Sequence, residues 1–339
     1  MKIALLTNGY GRVFRGAERF TKDFYDHLKD DIEIDIFGAE TTDHSIGMNQ
    51  KSRNEYKIPW RNGRAYLEAY QFGKKVYKTI DNDYDLIFNN SGFPCSYWCN
   101  KIRKRDGTPF ITRARGGREE HISRIFKPNK MIFLTTQQRN SICKNGVVVP
   151  NAIDIDDFAR VKKSGKFVGF ERPIYFSAGA FIDVKRFHLV VEAFSKVKRG
   201  TLAIAGSGTL EDDLRYLCDK LIPNRYMFLG EITDRDTMVS LYKSSDVFVH
   251  ASEREAFGNV YLEAMASGLP VVTQYDDRRI DIVSDAGFLV NCSDIDDFAD
   301  AMVSASKYNW NNSPIQQAMN YDWNVVKDQY IELFNSIIV

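Results

Sequence analysis

The chain has 339 residues, room for two domains of ordinary size, with 44% hydrophobic and 27% charged residues and a formal net charge of +1. That balance is ordinary for a soluble globular protein and gives little ground for nucleic-acid binding. No apolar run approaches the roughly 18 residues of a membrane span.

Charge is spread unevenly. Residues 1–160 hold 27 Lys+Arg against 20 Asp+Glu, and the remainder holds 19 against 25. A basic first half suits an anionic acceptor or peripheral contact with an acidic membrane surface; a mixed solvated surface is the plainer alternative. The five cysteines, at 95, 99, 143, 218 and 292, are odd in number and lack zinc-site spacing. Free thiols in a reducing cytoplasm are expected, with the protein cytoplasmic or at the inner face of a membrane.

The first apolar run is too short for a signal peptide and reads as a strand. Strand-like runs then recur with helical patterns between them: Lys2–Thr7, Ile32–Phe37, Asp85–Phe88, Pro109–Thr112, Met131–Thr135 and Val147–Val149. A second series follows at Ile174–Ala178, Thr201–Ala205, Met227–Leu229, Val247–His250, Pro270–Thr273 and Phe288–Val290. Short apolar runs alternating with helices predict parallel sheets, and two series predict two Rossmann-like α/β domains. The polar stretch Arg160–Lys166 reads as an exposed linker. The predicted domains are 1–160 and 170–315, closed by a segment over 316–339.

Several stretches carry candidate chemistry. After the first strand, Gly16 opens a helix whose apolar Phe20 and Phe24 recur at helical spacing, and its backbone N–H suits a phosphate. The region 39–63 reads as loop, and the run Lys101–Arg105 as a solvated helix end. Thr112–His121 follows a buried strand and concentrates Arg113, Arg115 and Arg118 beside two glycines. Lys185 and Arg186 follow the first strand of the second series. Gly208 stands in a strand-to-helix turn, and Ile232 follows another strand.

The richest stretch is Ser252–Val272, between two buried strands. A loop carries Glu255, Phe257 and Gly258; a helix begins near Asn259 and Val260 and stops before Gly268; Glu263 lies about one turn in. Ligands of such βαβ units sit at the carboxyl ends of the strands, and a carboxylate accepts two hydrogen bonds from a vicinal diol. A glycine lets the backbone approach a ligand closely. A solvent-facing Glu255 and a helix-surface Glu263 are the plain alternative.

This stretch resembles the Glu-x7-Glu signature of the large retaining glycosyltransferase family 4, matching it at Glu255, Phe257, Gly258, Glu263, Ala264, Met265, Ala266, Gly268, Pro270, Val271 and Val272. The resemblance extends at segment level to Gly16-Ala17-Glu18, Pro150–Phe158, Ala205–Leu210 and the closing segment at Trp323. It implies a GT-B fold: two Rossmann-like domains facing each other across a cleft, with a C-terminal helix crossing back to the first domain. It further implies transfer of a sugar from a UDP- or GDP-sugar to an acceptor hydroxyl with retention, in glycan, glycolipid or surface polysaccharide synthesis. The nucleotide sugar is then a co-substrate, with no cofactor and no metal. By the same resemblance Glu255 faces the donor sugar, Lys185 neutralises the diphosphate and Glu263 holds the ribose. Phe257, Gly258, Asn259, Val260, Gly16, Arg186, Gly208 and Ile232 line the donor site, and Arg113, Arg115 and His121 are candidates for acceptor or sugar contacts.

The sequence also departs from the family. Ala180 occupies the place of the family's diphosphate arginine, Arg113 and Ala114 stand near its sugar-contacting histidine, and Tyr275–Val283 replaces a glycine-rich turn. A donor-binding relative without turnover and a sugar-nucleotide epimerase are the alternatives these departures leave open. A dehydrogenase is disfavoured because the first turn lacks G-x-G-x-x-G with an acidic residue about twenty positions on.

Overall fold

The computed structural model describes residues 1–11, 16–38, 63–114 and 120–338. The expected loop over 39–63 lies outside these residues apart from its last position, and Arg115 and Arg118 lie outside them too. The chain divides into two compact units, Met1–Asn151 with Asn324–Val339, and Ala152–Trp323.

All twelve expected strands form. In the first unit they are β1 (Lys2–Leu6), β2 (Glu33–Phe37), β3 (Leu86–Asn89), β4 (Phe110–Arg113), β5 (Lys130–Phe133) and β6 (Val147–Val148). They pair wholly in parallel, in the order β2-β1-β3-β4-β5-β6. Parallel pairing demands crossovers, and helices supply them on both faces, so β1, β3 and β4 are buried along almost their whole length. Helix α1 (Gly16–Leu28) lays Phe20 and Phe24 inward, where they meet Phe88 of β3. Helix α2 (Gly63–Thr79) precedes β3, and α3 (Phe93–Asp106) follows it. Arg103, Lys104 and Arg105 of the basic run lie in the last turn of α3, where cations oppose the negative end of the helix dipole. Gly107 then stops the helix in the left-handed conformation, at φ 82°.

The first unit takes its last element from the far end of the chain. The C-terminal helix α13 (Trp323–Ile338) places Tyr330 against Phe24, ring centroids 5.1 Å apart, and Phe334 against Phe88 at 5.8 Å. The return of the C-terminal helix to the first domain, expected from the resemblance, is thus built on an aromatic cluster.

In the second unit the strands are β7 (Ile174–Ala178), β8 (Thr201–Ala205), β9 (Tyr226–Gly230), β10 (Val247–His250), β11 (Val271–Gln274) and β12 (Gly287–Val290). The sheet is again all parallel, in the order β12-β11-β10-β7-β8-β9. The helices between first and last are α4 (Thr136–Ile142) in the first unit, then α5 (Ile155–Arg160), α6 (Phe187–Lys196), α7 (Glu211–Leu221), α8 (Arg235–Ser244), α9 (Asn259–Ala266), α10 (Asp277–Val283), α11 (Ile295–Lys307) and α12 (Ser313–Met319). Aspartates start four of them: Asp154, Asp234, Asp276 and Asp294 each accept hydrogen bonds from N–H groups of the first turn.

The stretch read as a linker behaves differently from that expectation. Residues 160–166 belong to the second unit, where Ser164 N donates to Ser240 O at 3.3 Å and Lys243 Nζ donates to Phe158 O and Val161 O. A lysine that gathers main-chain carbonyls can fasten a polar segment without any apolar periodicity, which is why the sequence pattern missed it.

Candidate functional site

Unit 2 reverses its direction of winding between β7 and β10. The chain runs outward through β7, β8 and β9, then returns to pair β10 with β7 before continuing to β11 and β12. Loops leaving the two central strands therefore part company, and such a switch point forms a crevice at the carboxyl ends. Lys185 comes from the loop after β7, in the short 3-10 turn Asp183–Lys185. Glu255 comes from the loop after β10.

These two residues, 70 apart in sequence, form an ion pair: Lys185 Nζ donates to Glu255 Oε1. His250, the last residue of β10, brings Nε2 to 3.0 Å from the same oxygen and is only 1% exposed. Burial works to raise the Glu255 carboxyl, but the bond from His250 and the Lys185 ammonium outweigh it and hold it at about 2. Burial lowers His250 below its ordinary value, against the pull of Glu255 and aided by the positive charges of Lys185 and Arg279. Glu255 is accordingly ionised and His250 neutral, which assigns the donated proton to Nε2. The other ring nitrogen, Nδ1, is buried with no hydrogen-bond partner.

A second cation fixes the loop itself. Arg279, 1% exposed, donates from Nη2 to Ser252 O at 2.7 Å, from Nε to Tyr261 Oη at 2.9 Å and from Nη1 to Asp276 Oδ2 at 2.5 Å. Thr273 Oγ1 donates to His250 O at 2.6 Å, closing the β10 end from the side of β11. A buried guanidinium is tolerable only when its donors are matched in this way.

Beyond Glu255 the chain turns into α9. Gly258 caps that helix at φ 96°, and a Cβ there would stand 2.3 Å from the Tyr261 ring. No other residue fits. The first N–H groups of α9, at Asn259 and Val260, precede the first main-chain bond of the turn, Tyr261 N to Gly258 O at 2.9 Å. Glu263 lies half-buried on the helix and accepts from Tyr242 Oη at 3.2 Å.

The remaining expected residues fall into two groups. Gly208 follows β8 at φ 158°, with main chain packed so closely that a Cβ would meet Phe181 O at 2.5 Å. Ile232, half-buried, follows β9, and exposed Ala180 follows β7. These lie in loops at the same sheet edge as Glu255. Phe257, by contrast, is buried, with its ring against Tyr321. Arg186 is also otherwise engaged: its guanidinium donates to Ala251 O and Gln274 Oε1, both at 2.7 Å, and to Ser293 Oγ at 3.3 Å. It braces the ends of β10 and β11, and that brace leaves it poorly placed to replace the cation missing at Ala180.

In the first unit, exposed Gly16 begins α1, and a Cβ built there meets nothing within 4 Å among the described residues. Behind it the buried hydroxyls of Thr7 and Thr21 lie 2.7 Å apart, and Asn90 Nδ2 donates to Ala17 O at 3.1 Å. Arg113 does not present itself to a ligand as expected. It is 3% exposed, stacks 3.7 Å over the Phe20 ring, donates to Asn90 Oδ1 at 3.3 Å and also to Asn151 Oδ1. A guanidinium can be buried on an aromatic face with amide oxygens at its edge, and nothing in the local sequence signals it. His121 is exposed on the single turn Glu120–Ser123.

His250 and Arg279 escaped the sequence reading. His250 ends an apolar strand, and a polar ring closing the strand at a switch point is the signal that could have found it. Arg279 sits in a stretch read only as a divergence.

Residues 162–319 match the family described as glycosyl transferases group 1. Over this segment the chain resembles a group 1 glycosyltransferase domain, and it is GT4-like with a GT-B fold. Among curated proteins it is similar to a lipopolysaccharide core biosynthesis glycosyltransferase of Rhizobium meliloti, 32% identical over 135 residues, 39% of each chain. A phosphatidyl-myo-inositol mannosyltransferase of Mycobacterium leprae is 27% identical over 218 residues, covering 59% of this chain and 56% of that one. The chain thus spans about half, or less, of the curated relatives it matches. Among solved structures, sucrose-phosphate synthase of Thermosynechococcus elongatus superimposes with a TM-score of 0.78 at 16% identity over 99% of this chain and 98% of the other. The Anabaena protein HepE, in complex with UDP, gives 0.75 at 16% identity, covering 99% and 100%. No helix among the described residues is long and apolar enough to cross a membrane.

Proposed function

We propose that this chain transfers a sugar from a UDP- or GDP-sugar to an acceptor hydroxyl with retention of anomeric configuration, in the synthesis of a glycolipid, glycan or surface polysaccharide. The observation that carries the reading is the convergence of Lys185 and His250 on one oxygen of Glu255 at the β7/β10 switch point. An ionised carboxylate locked through Oε1 leaves Oε2 to accept from a sugar hydroxyl, and its negative charge favours the positive character that grows at the anomeric carbon. Lys185 has a second use. A diphosphate entering the crevice offers its ammonium more negative charge than one carboxylate does, so the leaving group is neutralised as it forms.

Glu263 holds the ribose diol in this reading, and the N–H groups at the start of α9, at Asn259 and Val260, approach the diphosphate, with Gly258 keeping the way clear. Gly208 and Ile232 border the base through their main chains. Lys185 supplies the charge that a metal ion supplies elsewhere, so turnover survives a chelator. Exposed His121 remains the candidate for an acceptor or sugar contact, and the exposed backbone at Gly16 for a donor phosphate. Names among the relatives, a mannosyltransferase acting on phosphatidyl-myo-inositol and a lipopolysaccharide core enzyme, favour a lipid-linked or polysaccharide acceptor.

Melting temperatures recorded with UDP-, GDP-, ADP- and dTDP-sugars test the donor site, since a ligand that binds only the native state raises stability by mass action. One nucleotide series should stabilise the wild type and stabilise Glu263→Ala less. Release of nucleoside diphosphate in the same samples separates a transferase from a binder without turnover. No shift with any nucleotide would remove the donor site from this crevice.

A further inference from the structure

The cations around Glu255 are not equivalent. Lys185 is committed to the Glu255 carboxylate, Arg186 to three oxygens, and Arg279 to three more. Arg278 differs. Its Nη1 donates to the main-chain oxygen of Glu255 at 3.2 Å, which sets the guanidinium directly beside the loop that carries the site carboxylate. Its Nε is buried with no hydrogen-bond partner. Among the described residues its ion-pair partner is Asp276, whose Oδ2 lies 3.7 Å from Nη2 and is already held by Arg279 at 2.5 Å. The side chain keeps 29% of its surface exposed, so it is both anchored and reachable.

A buried guanidinium donor without an acceptor is costly, on the order of what a lost hydrogen bond costs, and such a group persists where a ligand completes it. Arg278 also stands in the Tyr275–Val283 stretch that departs from the family's glycine-rich turn, while the family's own diphosphate arginine is replaced by Ala180. The unsatisfied cation and the missing cation thus occur at the carboxyl ends of β11 and β7, on either side of β10.

We propose that Arg278 is a specificity-determining residue of the donor site, reading an oxyanion of the ligand held at the Glu255 loop. The oxyanion is either a phosphate oxygen of the nucleotide or the carboxylate of an acidic donor sugar, since a guanidinium serves both in the same forked geometry. The inference rests on the donor-site reading above.

Equilibrium binding of uridine, UMP, UDP, UDP-glucose and UDP-glucuronate, and of the guanosine series with GDP-mannose and GDP-mannuronate, is measured on wild type, Arg278→Ala and Arg278→Lys. The exposed neighbour Arg254→Ala serves as a control, and the melting temperature of each unliganded variant reports on folding. Arg278→Ala should weaken the anion-bearing ligand about ten- to a hundredfold, with Arg278→Lys recovering part and Arg254→Ala unchanged. Loss with the diphosphate and not with the nucleoside assigns the phosphate; loss confined to the uronate assigns the sugar carboxylate. If the wild type binds a nucleotide and folded Arg278→Ala binds every ligand equally well, Arg278 is a loop brace and the proposal falls alone. If the wild type binds none of them, the donor-site reading falls and takes this proposal with it.

Discussion

His250 and Glu255 lie five residues apart and meet through a 3.0 Å contact, Nε2 to Oε1, although one ends a strand and the other occupies the loop beyond it. The bond fixes the carboxylate relative to the sheet rather than to the loop. Replacing His250 with alanine should leave Glu255 dependent on Lys185 alone and free one more of its lone pairs to water. In the transferase reading, kcat should fall by about tenfold or more with KM less affected, since the carboxylate acts mainly on the transition state. His250→Gln, which can still donate, should retain more activity than His250→Ala; equal losses would show that the ring serves only as packing.

Acid should destabilise the second unit in two stages. His250 is held below its ordinary value of 6.5, so as pH falls below that value the unfolded chain takes up a proton that the folded chain resists. Glu255 is held at about 2 against an ordinary 4.5, so a second loss follows as pH falls from 4.5 towards 2. Both groups bind more protons when unfolded, and both therefore favour the native state at higher pH. The Glu255 contribution is on the order of 3 kcal/mol at neutral pH. Urea titrations between pH 4.5 and pH 2 should show the wild-type midpoint falling more steeply than that of Glu255→Gln; parallel curves would refute the assignment.

The strands were readable because a parallel strand buried on both faces is a short apolar run, and all twelve stand out as such. The signature Glu255 to Val272 was readable because one βαβ unit compresses a loop, a helix start and a strand into one stretch. What escaped depends on pairs far apart in sequence. Lys185 and Glu255 meet only because β7 and β10 are neighbours, an arrangement set by strand order rather than by either motif. Arg113 and Arg186 read as candidate ligand contacts, yet one is stacked on Phe20 and the other is tied to Ala251 O and Gln274 Oε1. Sequence marked the candidate loops and left open which arginine in each is structural.

The C-terminal helix gives a prediction for the first unit. Phe334 is fully buried against Phe24 and Phe88, and its helix is supplied by the last residues of the chain. Truncating that ring removes transfer energy and leaves a cavity among aromatic neighbours that cannot easily close. Phe334→Ala should cost about 3–5 kcal/mol, read as a lower urea midpoint. A loss under about 1 kcal/mol would mean that the helix contributes little to holding the unit together.

Gly258 is the most exacting position in the site. Its φ of 96° lies where side chains are rarely tolerated, and a methyl group would meet the Tyr261 ring at 2.3 Å. Tyr261 cannot simply turn away, because its hydroxyl accepts from Arg279 Nε at 2.9 Å and lies 3.2 Å from Thr273 Oγ1. Gly258→Ala must therefore shift the start of α9, and with it the N–H groups of Asn259 and Val260 and the link between Glu255 and Glu263. The cost should be on the order of 2 kcal/mol in stability, from strain at positive φ and from the clash together. Nucleotide binding should weaken more than that loss of stability explains, because the folded fraction stays near unity while the donors move. Tyr261→Phe combined with Gly258→Ala should not restore binding, since the ring rather than the hydroxyl makes the contact, whereas Tyr261→Ala should restore part of it by opening the space. Crystals of Gly258→Ala with α9 unmoved and nucleotide affinity intact would refute the requirement for glycine.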